Sequence, residues 1–155
     1  MFYHSEWKGL AMFQHIVVAV DGSDQANNAL DIACEIAKKF SSDLHLAHTP
    51  EVDTTAIAIG AGVYVKEPTQ EEIEAAGREV IKAAEARTAE NGCKPVSIEV
   101  GNADPAHHVL DVAERVGADL IVTGRRGLGG LSRLLLGSTS QRIANDADCA
   151  CMTVK

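Results

Sequence analysis

The run Ile16-Val17-Val18-Ala19-Val20 constrains this chain more than any other feature. Every position in it is apolar, so neither side of a strand built from it can face water. Such a strand needs cover on both faces, which is the situation of a parallel strand between two layers of helices. Asp21-Gly22-Ser23-Asp24 breaks the run. A helical pattern follows, with Leu30, Ala33, Cys34 and Ala37 at i, i+3, i+4 and i+7, ending near Phe40.

The alternation then repeats. Leu44 to His48 reads as a second short strand. Thr49 to Pro68 reads as a loop, with an apolar stretch from Ala56 to Val65 containing Gly60 and Gly62. An apolar loop of that length suggests a mobile lid or a partner surface. Thr69 and Glu72 form a capping box that opens a helix through Ile73, Ala76, Val80, Ala83 and Ala84, and Asn91-Gly92 stops it. Val96, Ile98 and Val100 alternate with Ser97 and Glu99, predicting a half-exposed strand. Asp104-Pro105 starts a helix whose apolar face is Val109, Val112, Ala113 and Val116, and Gly117 ends it. Leu120 to Thr123 is a fourth strand, Ser138 to Ala144 a helix and Ala150 to Val154 a last strand. Five strands alternating with four helices predict an α/β fold, with one parallel sheet covered by helices on both faces. At 155 residues the chain suits one domain. In such sheets ligands bind beyond the carboxyl ends of the strands, where the winding reverses. Two strand ends fit that role, at Asp21-Gly22-Ser23 and from Gly124 onward.

The second of these is rich in glycine. Five of the chain's 13 glycines lie between Gly124 and Gly137, after a buried strand and before a helix. Glycine lets backbone approach a ligand closely. Ser138, Thr139 and Ser140 place hydroxyls and unpaired N–H groups at a helix N-terminus, which attracts anions. By spacing alone a flexible crossover loop remains an alternative. The charge distribution adds to the anion reading. The whole chain carries 14 basic and 22 acidic side chains, a net −8 that argues against a nucleic-acid polymer as partner. Yet Gly124 to Asn145 holds Arg125, Arg126, Arg133 and Arg142, four of the seven arginines, and no acid. Arg142 also fits a solvated helix turn. No G-x-x-x-x-G-K-[ST] occurs, so the chain is not a P-loop NTPase. Nor does G-x-G-x-x-G follow the first strand.

Gly124-x2-Gly127-x9-Gly137-Ser138 resembles the G-x2-G-x9-G-[ST] signature of the universal stress protein family. Val18-Ala19-Val20-Asp21-Gly22-Ser23, Asp119 to Gly124 and the terminal Cys151 to Lys155 agree with it too, so the likeness spans residues 12–155. It implies a Rossmann-like, adenine nucleotide alpha hydrolase-like sheet of order 3-2-1-4-5. It also implies binding of ATP (or ADP or AMP), with Mg2+ brought by the phosphates. Ala19, Val20 and Asp21 would then border the nucleoside. His48 and Thr123 would sit near adenine or ribose. Gly124, Gly127, Gly137, Ser138, Thr139 and Ser140 would hold the phosphates. Arg125 and Arg126, where the family often has smaller residues, could tighten phosphate binding or face solvent. The function implied is that of a cytoplasmic, nucleotide-dependent regulator of the stress response, acting on a partner such as a transporter. A slow ATPase or other nucleotide-binding enzyme is the alternative. Against catalysis stands the lack of an obvious base or Walker lysine, and neither HxGH nor SGGxDS occurs.

Single residues complete the expectations. Asp21 could orient a ribose or assist a metal on the phosphates, or it could cap the next helix, a role open to Ser23 or Asp24. His48 reads as a lining residue. His107 and His108, neighbours near a helix start, point about 100° apart and read as surface residues without a shared metal. Cys34, Cys93, Cys149 and Cys151 match no zinc spacing and read as buried or partly buried free thiols of a reducing cytosol. No apolar run approaches the ~18 residues of a membrane helix. Residues 1–11 read as an N-terminal extension before the domain at 12–155. The last strand, Ala150 to Val154, lies at a sheet edge in the order 3-2-1-4-5. An apolar edge invites pairing with a second copy, so a homodimer through it, with further assembly open, is expected.

Overall fold

The structure, a computed structural model, describes residues 12–52, 55–60, 62–102, 104–125 and 136–155. The elements run β1 (His15–Ala19), α1 (Asp24–Phe40), β2 (Asp43–His48), β3 (Thr55–Ile59), β4 (Gly62–Lys66), α2 (Gln70–Glu90), β5 (Ser97–Val100), α3 (Pro105–Val116), β6 (Leu120–Gly124), α4 (Ser138–Asp146) and β7 (Ala150–Val154). Five strands form one sheet, β5-β2-β1-β6-β7, parallel at every pairing. Leaving out β3 and β4, this is the expected order 3-2-1-4-5.

The two sheet faces bury different helices. Ile16, Val18, Val20, Leu44, Leu46, Leu120 and Val122 pack against Leu30, Ala33 and Cys34 of α1 and Ala84 of α2. The alternate positions Val17, Ala47 and Ile121 pack against Val109 and Val112 of α3 and Ile143 of α4. Ile16, Val17 and Val18 are each 0% exposed, as a strand covered on both sides requires. The helix ends follow local chemistry. The Ser23 hydroxyl accepts from Ala26 N–H at the start of α1, and Thr69 and Glu72 close the capping box of α2. The Asp104 carboxylate accepts from His107 N–H ahead of Pro105, and Gly117 ends α3 in the left-handed region at φ 64°.

Four expectations change. Ala56 to Val65 is not a loop but the antiparallel hairpin β3–β4, paired from Thr55↔Lys66 to Ile59↔Gly62. Only residues 60 and 61 connect the paired ends, and Gly60 has φ 61°, which short hairpin turns demand. The β-branched residues flanking Gly60 were the signal for it. The buried stripe of α2 is Ile73, Gly77, Ala84 and Thr88, whereas Ala76 and Ala83 are exposed. Gly77 belongs there because a Cβ would lie 3.0 Å from both the His48 ring and Val100. His108 is buried, not a surface residue: it shares the inner face of α3 with Val112 one turn later. Gly101 makes the room, since a Cβ there would sit 2.6 Å from the His108 ring. All four cysteines are free thiols, but Cys151 is exposed rather than buried.

Candidate functional site

The winding reverses between β1 and β6. From β1 the chain steps outward through β2 to β5, then crosses back to β6 and on to β7. At their lower ends β1 and β6 are pinned together by Asp119, whose carboxylate accepts from Gln14 N–H (2.8 Å) and His15 N–H (3.2 Å). At their upper ends they part. The β1–β6 pairing stops at Val18↔Val122. The flanking pairings continue to Ala19↔Ala47 on one side and Gly124↔Val154 on the other. Ala19-Val20-Asp21 and Thr123-Gly124 therefore flank the switch-point crevice, the position where open α/β sheets bind ligands.

Two helices begin at this crevice, and they differ. The N-terminus of α1 is satisfied by Ser23, with Asp24 adding negative charge in its first turn. The N-terminus of α4 is not: its N-cap is Gly137, no side chain among the described residues caps it, and no acid occupies its first turn. Its first N–H groups and the positive end of its dipole remain available to an anion. Gly137 lies at φ −60° and ψ 149°, ordinary extended backbone, so its glycine character is not required by conformation.

The sequence-predicted residues divide accordingly. Ala19 is half-buried and Val20 buried, with Val20 N–H donating to Ala47 O (2.9 Å). Asp21 is half-buried at the crevice mouth, where its Oδ1 accepts from Ser23 N–H (2.9 Å). Helix capping thus falls to Ser23 and not to Asp21. Thr123 is 4% exposed on β6. Ser138 is exposed and Thr139 half-buried on the first turn of α4. Ser140 is 5% exposed and donates its hydroxyl proton to Gly124 O (2.7 Å), tying α4 to the end of β6. Gly124 is crowded by protein: a Cβ on it would lie 2.7 Å from the backbone of Gln25 and Ala26. Arg126 and Gly127 lie outside the described residues, as does Arg133.

His48 is held apart from Thr123. It extends the β2 face of Leu44 and Leu46, toward α2, whereas Thr123 extends the opposite face with Ile121. The ring is 5% exposed, and its Nδ1–H donates to Val20 O (2.7 Å). Burial holds its pKa below the ordinary 6.5. His48 is thus a neutral prop beneath the β1 end. Arg142 is engaged with Asp104 (3.0 Å) and Asp146 (3.6 Å), so it adds little free positive charge to the site. Arg125 is half-buried, and its backbone joins three segments: its N–H donates to Val154 O (2.5 Å) and its carbonyl accepts from Gly137 N–H (2.9 Å). Among the described residues no group of three or more His, Cys, Asp or Glu could hold a metal. No helix among them is long and apolar enough to cross a membrane.

Fold and crevice define an open, doubly wound α/β protein with an uncapped helix terminus at its switch point. Residues 12–155 match the sequence profile of the universal stress protein family. The chain belongs to that family. It is 34% identical to the universal stress protein YxiE of Bacillus subtilis over 149 residues, covering 93% of this chain and 100% of the relative. Among solved structures it resembles a universal stress protein in complex with cAMP, at TM-score 0.71 and 22% identity over 92% of this chain and 97% of the other. It also resembles the Archaeoglobus fulgidus universal stress protein in complex with dAMP, at TM-score 0.65 and 21% identity over 94% and 100%.

Proposed function

We propose that the crevice binds an adenine nucleotide, ATP foremost, and that the protein is a nucleotide-dependent regulator in the stress response. The observation that carries this reading is the early end of the β1–β6 pairing beside the uncapped start of α4. An adenine nucleotide matches that arrangement. Its adenine ring is flat and suits the gap beside Ala19, Val20 and Thr123. Asp21 would accept from a ribose hydroxyl. The phosphates would fall at the first turn of α4, at Gly137, Ser138 and Thr139, where the N–H groups of Ser138 and Thr139 face the start of the helix. The complexes of relatives with cAMP and dAMP support the adenine class. Mg2+ would arrive on the phosphates, where Asp21 could assist it. Arg126 and Gly127, in the adjoining glycine-rich segment, complete the proposed contacts. Ser140 and His48 act in this reading by holding Gly124 and Val20.

The regulator works by population shift: a nucleotide that binds one arrangement of the glycine-rich segment more tightly favours that arrangement. We further propose a cytoplasmic homodimer paired through β7, acting on a protein partner such as a transporter. Calorimetric titration of ATP with Mg2+ tests the site. Gly137→Val keeps an allowed backbone conformation but lays a branched side chain across the α4 N–H groups. Binding should vanish while the circular dichroism spectrum is unchanged; an unaltered ATP affinity in this variant refutes the assignment. Release of labelled phosphate from ATP, measured alongside, separates a regulator from a slow ATPase.

A further inference from the structure

A second chemically distinctive cluster lies at the other end of α1. Asn91 and Gly92 stop α2, and Gly92, at φ 67°, turns the chain so that Cys93 N–H donates to Thr88 O (2.8 Å). The turn lays Cys93 against the core cluster that contains Cys34 of α1. Neighbouring contacts fix this approach. Asp31, one turn before Cys34, accepts from both arms of Arg87 (2.7 and 2.7 Å) and from Asn91 (2.7 Å). Three side chains thus clamp α1 to the end of α2 beside the two thiols. Lys38, one turn after Cys34, pairs with Glu35 (2.5 Å), and its side chain is 40% exposed. Cys34 is fully buried and Cys93 half-buried.

We infer that Cys34 and Cys93 form a reversible intramolecular disulfide when the chain meets a hydroperoxide. The two sulfurs divide the work by their surroundings. Burial, with Cys93 adding to it, pushes the Cys34 thiol up to about 12, so it stays protonated and does not attack an oxidant itself. Cys93 is the accessible partner. Its thiolate attacks one peroxide oxygen, the O–O bond breaks, and Cys93 becomes a sulfenic acid as the departing hydroxide is protonated to water. The Cys34 thiol then passes its proton to the sulfenic hydroxyl as its sulfur attacks the Cys93 sulfur, so the S–S bond forms, the S–O bond breaks and the oxygen leaves as a second water. Two thiols and one hydrogen peroxide give one disulfide and two waters, the peroxide accepting both electrons. A dithiol reductant reverses the change. The bond closes a span of 93 − 34 = 59 residues that includes β2, the hairpin and α2. Closing so long a loop restricts the unfolded chain and raises the melting temperature by several degrees.

The test uses the intact reduced chain, hydrogen peroxide in modest excess, alkylation, and tryptic mass spectrometry without reductant. Cys34 falls in the peptide 9–38, Cys93 in 88–115, and Cys149 and Cys151 together in a third at 143–155. The expected product links the first two peptides with the loss of two hydrogens. It appears together with the rise in melting temperature, and dithiothreitol abolishes both. Cys93→Ser, at a half-buried position outside the helices, should fold normally and show neither change. The inference is overturned if Cys34 remains fully alkylated when oxidised protein is unfolded. It is equally overturned if all oxidation falls on Cys149 and Cys151.

Discussion

His48 and His45 show how burial sets the chemistry of single residues here. His45 is 6% exposed on β2, its Nδ1 2.8 Å from Ser97 Oγ and its buried Nε2 without a hydrogen-bond partner. Burial lowers the pKa of both histidines below 6.5, and for His45 the neighbouring His15 adds to the effect. The unfolded chain then binds protons more readily than the folded one between the two pKa values. Stability is therefore present above about pH 6.5 and is lost as pH falls toward the lowered folded values. The loss reaches at most about 1.4 kcal/mol per pH unit for each histidine. Urea unfolding at pH 7.5 and 5.5 should show the decline, and it should shrink in the double variant His45→Asn, His48→Asn. An equal decline in both proteins would rule out these rings as its source. Composition cannot reveal such a residue. His48 and His108 are ordinary histidines until Gly77 and Gly101 bring backbone against their rings.

At the scale of elements, most boundaries follow from nearest neighbours in the chain. Ser23, the Thr69–Glu72 box, Asp104-Pro105 and Gly117 are local devices, so their roles were legible without a fold. Contacts between elements were not. Gly124 stands at the head of a ligand-type motif, yet in the structure it is the first turn of α1 that leaves no space for a side chain. Gly124→Ala should force α1 and β6 apart, because the colliding atoms are backbone and cannot rotate away. Overpacking of this kind costs about 1–3 kcal/mol. A urea midpoint equal to that of the unaltered chain would show that the contact relaxes freely. The hairpin β3–β4 makes the same point from the other side: two apolar runs about a glycine look like a loop until their pairing is seen. In α2 the buried stripe runs through Gly77 rather than Ala76 and leaves Ala83 exposed, because alanine and glycine carry little periodic signal.

The whole molecule is a sheet with two open edges, β5 and β7. In β7, Ala150, Cys151 and Thr153 are exposed, and the strand pairs only with β6 among the described residues. Val154 O faces β6, where it accepts from Arg125 N–H, so by alternation the Thr153 N–H points away from the sheet. If the proposed dimer forms by edge pairing, sedimentation at micromolar concentration should give 2 × 16.4 = 32.8 kDa. Thr153→Pro, which removes an outward donor and spares the β6 ladder, should give half that mass. A monomer in the unaltered chain would refute the assembly. The chain by itself determined the order of strands and helices, the double burial of Ile16 to Val18 and most helix ends, because each depends on a few adjacent residues. The glycine motif is where we propose that a ligand meets the sheet. Only the tertiary structure decided that β1 and β6 part above Val18 and Val122, that Ser140 spends its hydroxyl on Gly124, and that His48 faces away from Thr123. It also set Cys93 against the core cluster that contains Cys34. Each of these joins residues distant in sequence, and the meeting of distant residues is settled by how the layers pack rather than by any local preference.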